Sequence, residues 1–412
     1  MRQSVMVIGG GVAGLSAANT LAESGHPVIL VDREPRIGGR ANNYSCKATD
    51  TCHQCNVCLA LQAKREIDKH SIISIYTDTE VDALQGRAGD YTVTATRKPV
   101  HWSDGECLRC GLCARLCPEG SSGRNPVLEG DTCEKLSDGT CEICALQCPA
   151  GAIDPAPRPE TMTFAVGAVI AATGFEPFNA RAEARYGYGE DPGVVTGADV
   201  EEAFRGREPL AGYLDGRRKI AFIQCVGSRD TDGSGYCSRA CCGYALSLAR
   251  MIKHDVEDSD ITVYYMDIQG FGRDTGQLRR DCEEAGIKFV RARPAGVRPA
   301  AGGHGVEVTY EDVSDGVQKR EPFDMAVLSV GMAPGGDADG ISDVLGINVD
   351  EHGFFAGRYG GPRDDVTTNV PGLFVAGTCG GPRDIAGSVA HARKAAAAAA
   401  RLLKGRSTCE IT

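Results

Sequence analysis

Eight cysteines between Cys107 and Cys148 constrain this chain more than any other feature. Cys107, Cys110, Cys113 and Cys117 stand at C-x2-C-x2-C-x3-C and are followed by Pro118. Cys133, Cys141, Cys144 and Cys148 end on the same C-x3-C-P, at Pro149, with the first gap lengthened to seven residues. Short gaps let one tight turn present three thiolates to one iron–sulfur cube. The fourth cysteine, ahead of proline, leaves that turn and ligates the other cube. The spacing therefore predicts two [4Fe–4S] clusters. One rests on Cys107, Cys110, Cys113 and Cys148, the other on Cys133, Cys141, Cys144 and Cys117. Structural zinc takes four ligands, and neither zinc nor disulfides account for two C-x3-C-P endings.

The 412 residues suggest two to three domains. A composition 42% hydrophobic and 24% charged can bury real cores. The net charge of -11 argues against a nucleic-acid partner, which would favour a basic face. With a strand expected to begin at Ser4, no secretory leader is expected, and the 19 cysteines in metal spacings imply a cytoplasmic, reducing compartment. No apolar run approaches the roughly 20 residues that span a bilayer, so direct membrane insertion is not expected and any membrane link should come through a partner subunit.

The N-terminal stretch carries the second strong signal. Val5–Ile8 reads as a strand, followed by Gly9-x-Gly11-x-x-Gly14, an amphipathic helix, and a second strand from Val28 to Val31 that ends at Asp32. Strand, glycines, helix and acid together make a dinucleotide-binding fingerprint. The glycines let the backbone approach a pyrophosphate at a helix N-terminus. Asp32 should accept from the adenosine ribose, with Arg33 beside it. Further features are similar to those of FAD enzymes with two dinucleotide folds. Gly38-Gly39-Arg40 follows the second strand, and a buried strand from Gly167 ends in Ala172-Thr173-Gly174. That resemblance places Gly39, Arg40, Thr173 and Gly174 on FAD.

Residues 72–97 alternate as strands and read as a β-meander closing a flavin domain. A ferredoxin-like module runs from about Pro99 to the Pro-rich exit near Pro159, with Trp102 and His101 at its entry in packing roles. A second α/β unit follows from about 217 to 333. Its strand Ile220–Gln224 and helix Gly243–Lys253 flank a loop without G-x-G-x-x-G. Cys225, Cys237, Cys241 and Cys242 sit there instead. They read as a third [4Fe–4S] site, since cluster ligands can be non-contiguous, or as a vicinal thiol or disulfide at Cys241–Cys242. Cys46, Cys52, Cys55 and Cys58 form another C-x2-C-x2-C run but lack the C-x3-C-P ending. The run is read as a loop beside the flavin, with a further cluster left open. Cys282 and Cys409 read as unliganded.

Near the C-terminus a strand ends at Gly377, and an Ala-rich helix follows. Thr378 stands where related flavin enzymes carry an Asp for the ribityl chain, so Asp384 is expected to substitute. The helix N-terminus, with Ala386 and Val389, should face the flavin N1/O2 edge, where its dipole favours an anionic reduced ring. No catalytic acid, base or nucleophile is expected. The expected fold class is α/β: a thioredoxin-reductase-like flavoprotein with two dinucleotide-type domains and an inserted two-cluster module. The expected boundaries are 1–98, 160–216 and 334–412 for the FAD domain, 99–159 for the insert and 217–333 for the second domain.

GGGVAG, GGR, CLRCGLCARLCP, ATGF, IQCVGSRD, YCSRACC, DIQGFGR and AGTCGGPRDIAGSVA together resemble the A subunits of heterodisulfide reductase over nearly the whole chain. In length the chain is similar to a shorter branch, the A subunits of the quinone-interacting membrane-bound oxidoreductase of sulfate reducers. The resemblance implies a cytoplasmic electron-transfer protein carrying FAD and iron–sulfur clusters. It also implies two docked partners, one a second flavin/iron–sulfur subunit, the other a haem-bearing membrane subunit, with adenylyl-sulfate reductase as redox partner. Alternative readings are an electron-bifurcating soluble relative, an NAD(P)H-dependent disulfide reductase, and a scaffold that retains flavin for folding.

Overall fold

The computed structural model describes residues 3–407 apart from 100–101, 103–105, 109, 119–138, 206–209, 231–233, 271–274, 314 and 359–364. Two parallel five-stranded sheets organise it. In the first, the strand Val5–Ile8 lies between Val28–Val31 and Ala168–Ala171, with Ile73–Tyr76 and Leu373–Val375 at the edges. Val5–Ile8 and Ala168–Ala171 are buried throughout. Burial on both faces explains their unbroken apolar runs. The helix Val12–Glu23 and the long C-terminal helix Ile385–Ser407 pack together on one face, through Leu15, Ala18, Ala392, Ala395 and Ala399. Small side chains on the long helix let the two backbones approach closely.

Residues 72–97 do not form one meander. Ile73–Tyr76 joins the parallel sheet beside Val28–Val31, with Val28 opposite Ile73. Only Thr79–Arg87 and Asp90–Arg97 are antiparallel, and their third partner is Glu160–Val166. Ile73 is followed by Ser74, Ile75 and Tyr76, an alternation that fits an edge strand of either kind, so sequence alone misassigns it.

The second sheet runs Lys288–Arg291, Asp260–Tyr265, Lys219–Val226, Met325–Val330, Val194–Thr196. Its last strand pairs Ala326 with Val194, so this unit draws on residues well before 217. Three residues, VVT, are too few to show a pattern, which is why composition misplaces that boundary. The helix Cys241–Asp255 covers one face, burying Leu246, Ala249 and Ile252 against Phe222 and Val327. The inserted module begins and ends with a bridge between Trp102 and Ile153. Trp102, Cys113, Cys144, Cys148 and Ile153 form its small core.

Candidate functional site

The first strand turns sharply into the first helix at the glycines. A Cβ on Gly14 would lie 1.8 Å from the Gly9 carbonyl oxygen, so only glycine lets the helix approach the strand end here. The Gly-Gly-Arg turn docks on this loop: Gly38 N–H donates to the Gly10 carbonyl at 2.7 Å. Arg40 Nε donates to the Phe175 carbonyl at 2.6 Å, tying the turn to the stretch after Gly174. Asp32 is buried and accepts from Gly10 N–H at 2.5 Å and from Glu34 N–H at 2.8 Å. Burial pushes its carboxyl above the ordinary aspartate value, against the pull of those two amides.

These residues line one cleft of about 1570 Å³, larger than the roughly 300–1,000 Å³ of most small-molecule pockets. Gly9, Gly11, Asp32, Arg33, Gly39, Arg40, Thr173, Gly174 and Asp384 all reach it. Gly14 instead packs helix on strand, and the buried Val389 is not on the cleft wall, where Ile385 and Ser388 are. Ala386 is likewise absent from the wall and only half-buried. Gly377 stands behind it at φ +76°, where a Cβ would meet Ala13. Arg33 pairs with Asp337 at 2.7 Å, while the other Asp337 oxygen, Oδ1, is buried with no hydrogen-bond partner. Asp337 is also on the cleft wall. A buried acceptor lacking a donor suits a nucleotide hydroxyl or amino group, and the donor set as a whole fits FAD.

Asp384 has a second task. Its Oδ1 accepts from Gly387 N–H at 2.6 Å, capping the helix that begins at Ile385. One of its oxygens is therefore already committed. The turn at Gly377 is held from behind by two further side chains. Gly377 N–H donates to His391 Nδ1 at 3.0 Å, and Arg383 Nη1 donates to the carbonyls of Gly377 and Gly381, both at 2.9 Å. Accepting at Nδ1 leaves the His391 proton on Nε2, which faces the Asp365 carbonyl at 3.4 Å.

The far wall of the cleft belongs to the second unit, whose tip is built differently. Cys225 is at φ +63°, and the helix already begins at Cys241, two residues earlier than expected, with Cys242 its next residue. Cys225, Cys241 and Cys242 are buried and Cys237 is half-buried. Hydrogen bonds from Cys225 and Cys242 hold the Cys241 sulfur well below the ordinary thiol value. The same bonds, with burial, push Cys225 and Cys242 up, and burial raises Cys237. The four thiols thus share one site, and Cys241 faces the cleft. Gln224, Ser228 and Ser329, at the same end of the sheet, bury polar side-chain atoms that have no partner.

At this tip the strand-end amide and the space above it are already occupied. Gly227 N–H, the amide at the strand end, donates to Glu183 Oε1 at 2.7 Å. A Cβ on Gly227 would fall inside the Phe178 ring, so Phe178 fills the space over the loop. A carboxylate and a ring stand where a dinucleotide fold offers bare amides.

The loop with Cys46, Cys52, Cys55 and Cys58 closes the cleft from above. Lys47 and Glu201 pair at 2.7 Å, each side chain only 6% exposed, and Ser45 N–H donates to the same Glu201 oxygen at 2.5 Å. His53 contacts Asp281 at 3.1 Å and also Arg250, so it fastens the loop to the second unit. Cys46, Cys52 and Cys58 are exposed, and Cys55 is half-buried on the cleft wall.

In the insert, Cys113 and Cys148 share the small core, and Ala152 N–H donates to Cys148 Sγ at 3.3 Å. Burial, reinforced by Cys107 and Cys110, pushes the Cys113 thiol up. Cys117 ends the short helix Leu112–Leu116, and Cys141 is half-buried. Cys133, His101 and Cys409 lie outside the described residues. Cys282 is in the core beneath Leu246, and burial pushes it up to about 12. Among the described residues no three His, Cys, Asp or Glu side chains converge tightly enough for a single metal ion. A cube spreads its ligands over separate irons, so the two arrangements are distinct. No helix among the described residues is long and apolar enough to cross a membrane.

Two dinucleotide-type sheets facing a shared cleft define a class. The chain belongs to the pyridine nucleotide-disulphide oxidoreductase family, whose model matches residues 3–399, and it is an oxidoreductase. Within that class it is similar to A subunits of heterodisulfide reductase. It is 36% identical over 422 residues to the second iron-sulfur A subunit of the CoB–CoM heterodisulfide reductase of Methanopyrus kandleri, covering 97% of this chain and 64% of the relative. It is 33% identical over 425 residues to the A subunit of the ferredoxin/F420H2-dependent CoB-CoM heterodisulfide reductase of Methanosarcina acetivorans, covering 97% and 53%. The chain thus spans only part of the length of these relatives. Among solved structures, the thioredoxin reductase of T. acidophilum superposes with a TM-score of 0.52 at 18% identity, covering 97% of this chain and 98% of that one. The bacillithiol disulfide reductase of Bacillus cereus gives 0.52 at 15%, covering 98% and 100%. Both likenesses support the fold.

Proposed function

We propose that the chain is an FAD- and iron–sulfur-bearing electron-transfer subunit that works within a larger complex. The observation that carries this reading is one cleft with a nucleotide cradle on one wall, Cys241 on the facing wall and Cys55 in the loop that borders it. Gly9, Gly11, Asp32, Arg33, Gly39, Arg40, Thr173, Gly174 and Asp384 would hold FAD, with Gly14 and Gly377 shaping the cradle from behind. FAD exchanges electrons singly or in pairs, which suits it to stand between one-electron clusters and a two-electron partner. With FAD bound, Asp32 would offer its carboxylate to the ribose, and the capped start of the helix Ile385–Ser407 would border the cleft beside the ring. Cys107, Cys110, Cys113, Cys117, Cys133, Cys141, Cys144 and Cys148 would hold two [4Fe–4S] clusters, and Cys225, Cys237, Cys241 and Cys242 a third.

The more specific reading follows the resemblance to the sulfate-reducer branch. The chain would relay electrons between a quinone pool and adenylyl-sulfate reductase. It would sit in the cytoplasm and reach the membrane through a haem-bearing subunit, together with a second flavin/iron–sulfur subunit. The matched relatives are named as heterodisulfide reductase subunits and so favour the alternative, a heterodisulfide-reductase-like role, over the sulfate-reducer one. An NAD(P)H-dependent disulfide reductase is disfavoured by Glu183 and Phe178 at the second tip.

The test is iron and flavin content of the anaerobically purified chain, with EPR after dithionite. About twelve irons and one FAD are expected, four irons per cluster. About eight would remove the third cluster, and fewer than four with zinc present would sink the electron-transfer reading. Addition of NADPH should leave the flavin oxidised; bleaching would favour the disulfide reductase.

A further inference from the structure

The long helix Ile385–Ser407 buries a stripe of small side chains, with Ala392, Ala395 and Ala399 fully covered. One member of the stripe is ionisable. His391 is only 5% exposed and lies against both ends of the turn Gly377–Gly380. Its Nδ1 accepts from Gly377 N–H at 3.0 Å, and a Cβ on Gly380 would be 3.7 Å from its Cε1. Gly377 is buried, so its amide needs an acceptor inside the protein. Thr378, the next residue of the turn, lines the main cleft. The histidine therefore fixes from behind a turn whose front belongs to the nucleotide cradle.

A proton on Nδ1 reverses this. Both nitrogens of an imidazolium are donors, so Nδ1–H would face Gly377 N–H with no acceptor between them. A buried amide left in that state drives the turn to rotate toward another acceptor. On the ring's other side, Nε2 faces the Asp365 carbonyl and Arg383 Nη2, each at 3.4 Å. Other charged groups close by are Arg239, Lys394, Asp384 and the Asp365 carboxylate. Asp384 Oδ1 already accepts from Gly387 N–H, and Asp365 Oδ1 from the Thr367 amide and hydroxyl. In the turn itself, Cys379 Sγ donates to the carbonyls of Ala171 and Ala376.

We propose that His391 is a proton-sensitive positioning residue for the bound flavin. Neutral, it holds the Gly377–Gly380 turn in the shape of the cradle; protonated, it releases that turn and loosens the flavin. This role rests on the FAD reading of the cleft. A glutamine could accept from the same amide without ever ionising, so the histidine adds acid sensitivity to an otherwise ordinary hydrogen bond.

FAD fluorescence of the full chain, followed from about pH 8 to about pH 5.5, reads release of the flavin. Wild type is expected to hold FAD at least about tenfold more weakly at the acid end, the worth of leaving one buried amide unpaired. His391→Gln should match wild type at about pH 8 and bind more tightly than wild type at about pH 5.5. Asp32 is present in both proteins, so the difference between their curves isolates His391. His391→Leu, which removes the acceptor, should bind weakly at every pH; if it does not fold, the Gln comparison decides alone. Identical pH curves for wild type and His391→Gln overturn the proposal.

Melting temperature of the flavin-free chain reads the same residue without flavin. An unfolded histidine takes up a proton near pH 6.5 that the folded ring refuses, so wild type should lose stability relative to His391→Gln as pH falls below about 6.5. Equal pH dependence of melting also overturns the proposal. Wild type that binds no FAD at any pH sinks the FAD reading, and the melting comparison then still judges whether His391 releases the turn.

Discussion

The two parallel sheets share a strand layout and differ most at the tip of the central strand. In the first, the glycine turn leads straight into a helix at Val12, and the loop amide of Gly10 binds Asp32, leaving the cradle open to the cleft. In the second, the strand ends at Val226 and the helix begins only at Cys241, the Gly227 amide binds Glu183, and Phe178 covers the turn. At both tips a glycine amide donates to the protein's own carboxylate, and what sets the second apart is the Phe178 ring over the turn and the cysteines around it. A dinucleotide fold is thus a frame, and its chemistry is decided by what covers one strand end.

The contrast can be broken most severely at Gly14. Gly14→Val drives side-chain carbon into the Gly9 carbonyl, and a steric insult to a strand–helix contact belongs with the largest single-residue effects. Flavin content should fall at least about tenfold and the melting temperature with it, as absorbance and calorimetry would show. At the other tip, Cys241→Ser should remove about four irons per chain and leave flavin content unchanged. Iron analysis beside flavin absorbance checks both halves, and a joint loss would mean that the tips are not independent.

The clasp between the units comes next. Lys47→Met leaves Glu201 charged and buried, which should cost about 3–5 kcal/mol in urea unfolding. Lys47→Met/Glu201→Leu should recover most of that loss, since the desolvation cost disappears along with the attraction. The smallest effect is a pH dependence from Asp32. Burial raises its folded pKa above the unfolded value, so between the two the folded state binds more protons and stability falls as pH rises. Flavin-free wild type should therefore lose melting temperature, relative to Asp32→Asn, as pH rises from about 4. FAD retention should move the opposite way, because the ribose needs the ionised carboxylate as acceptor. Parallel pH curves for wild type and variant would remove Asp32 from both roles.

Local features are legible in the sequence. The strand Val28–Val31, the glycines and Asp32 lie within one βαβ stretch, where spacing alone determines who meets whom. The residues that decide the second tip are not legible. Glu183 lies 44 positions from Gly227, and Lys47 lies 154 from Glu201. Asp337 and His391 carry no motif, and only packing brings them to the cleft or its rear wall. Ile73–Tyr76 and Val194–Thr196 are misplaced by sequence reasoning for a related cause: short strands take their partners from the tertiary fold rather than from their own pattern.

The insert interrupts the chain between Arg97 and Glu160, which are register partners in adjacent antiparallel strands. The whole module therefore occupies the position of a hairpin turn, and its two ends meet at the spacing of one strand pair. Such a graft is portable. A tight Asn-Gly turn joining Arg97 to Glu160 would restore an uninterrupted hairpin, and in descent a module of this kind can be gained, exchanged or lost in one genetic step while the sheet beneath keeps its register.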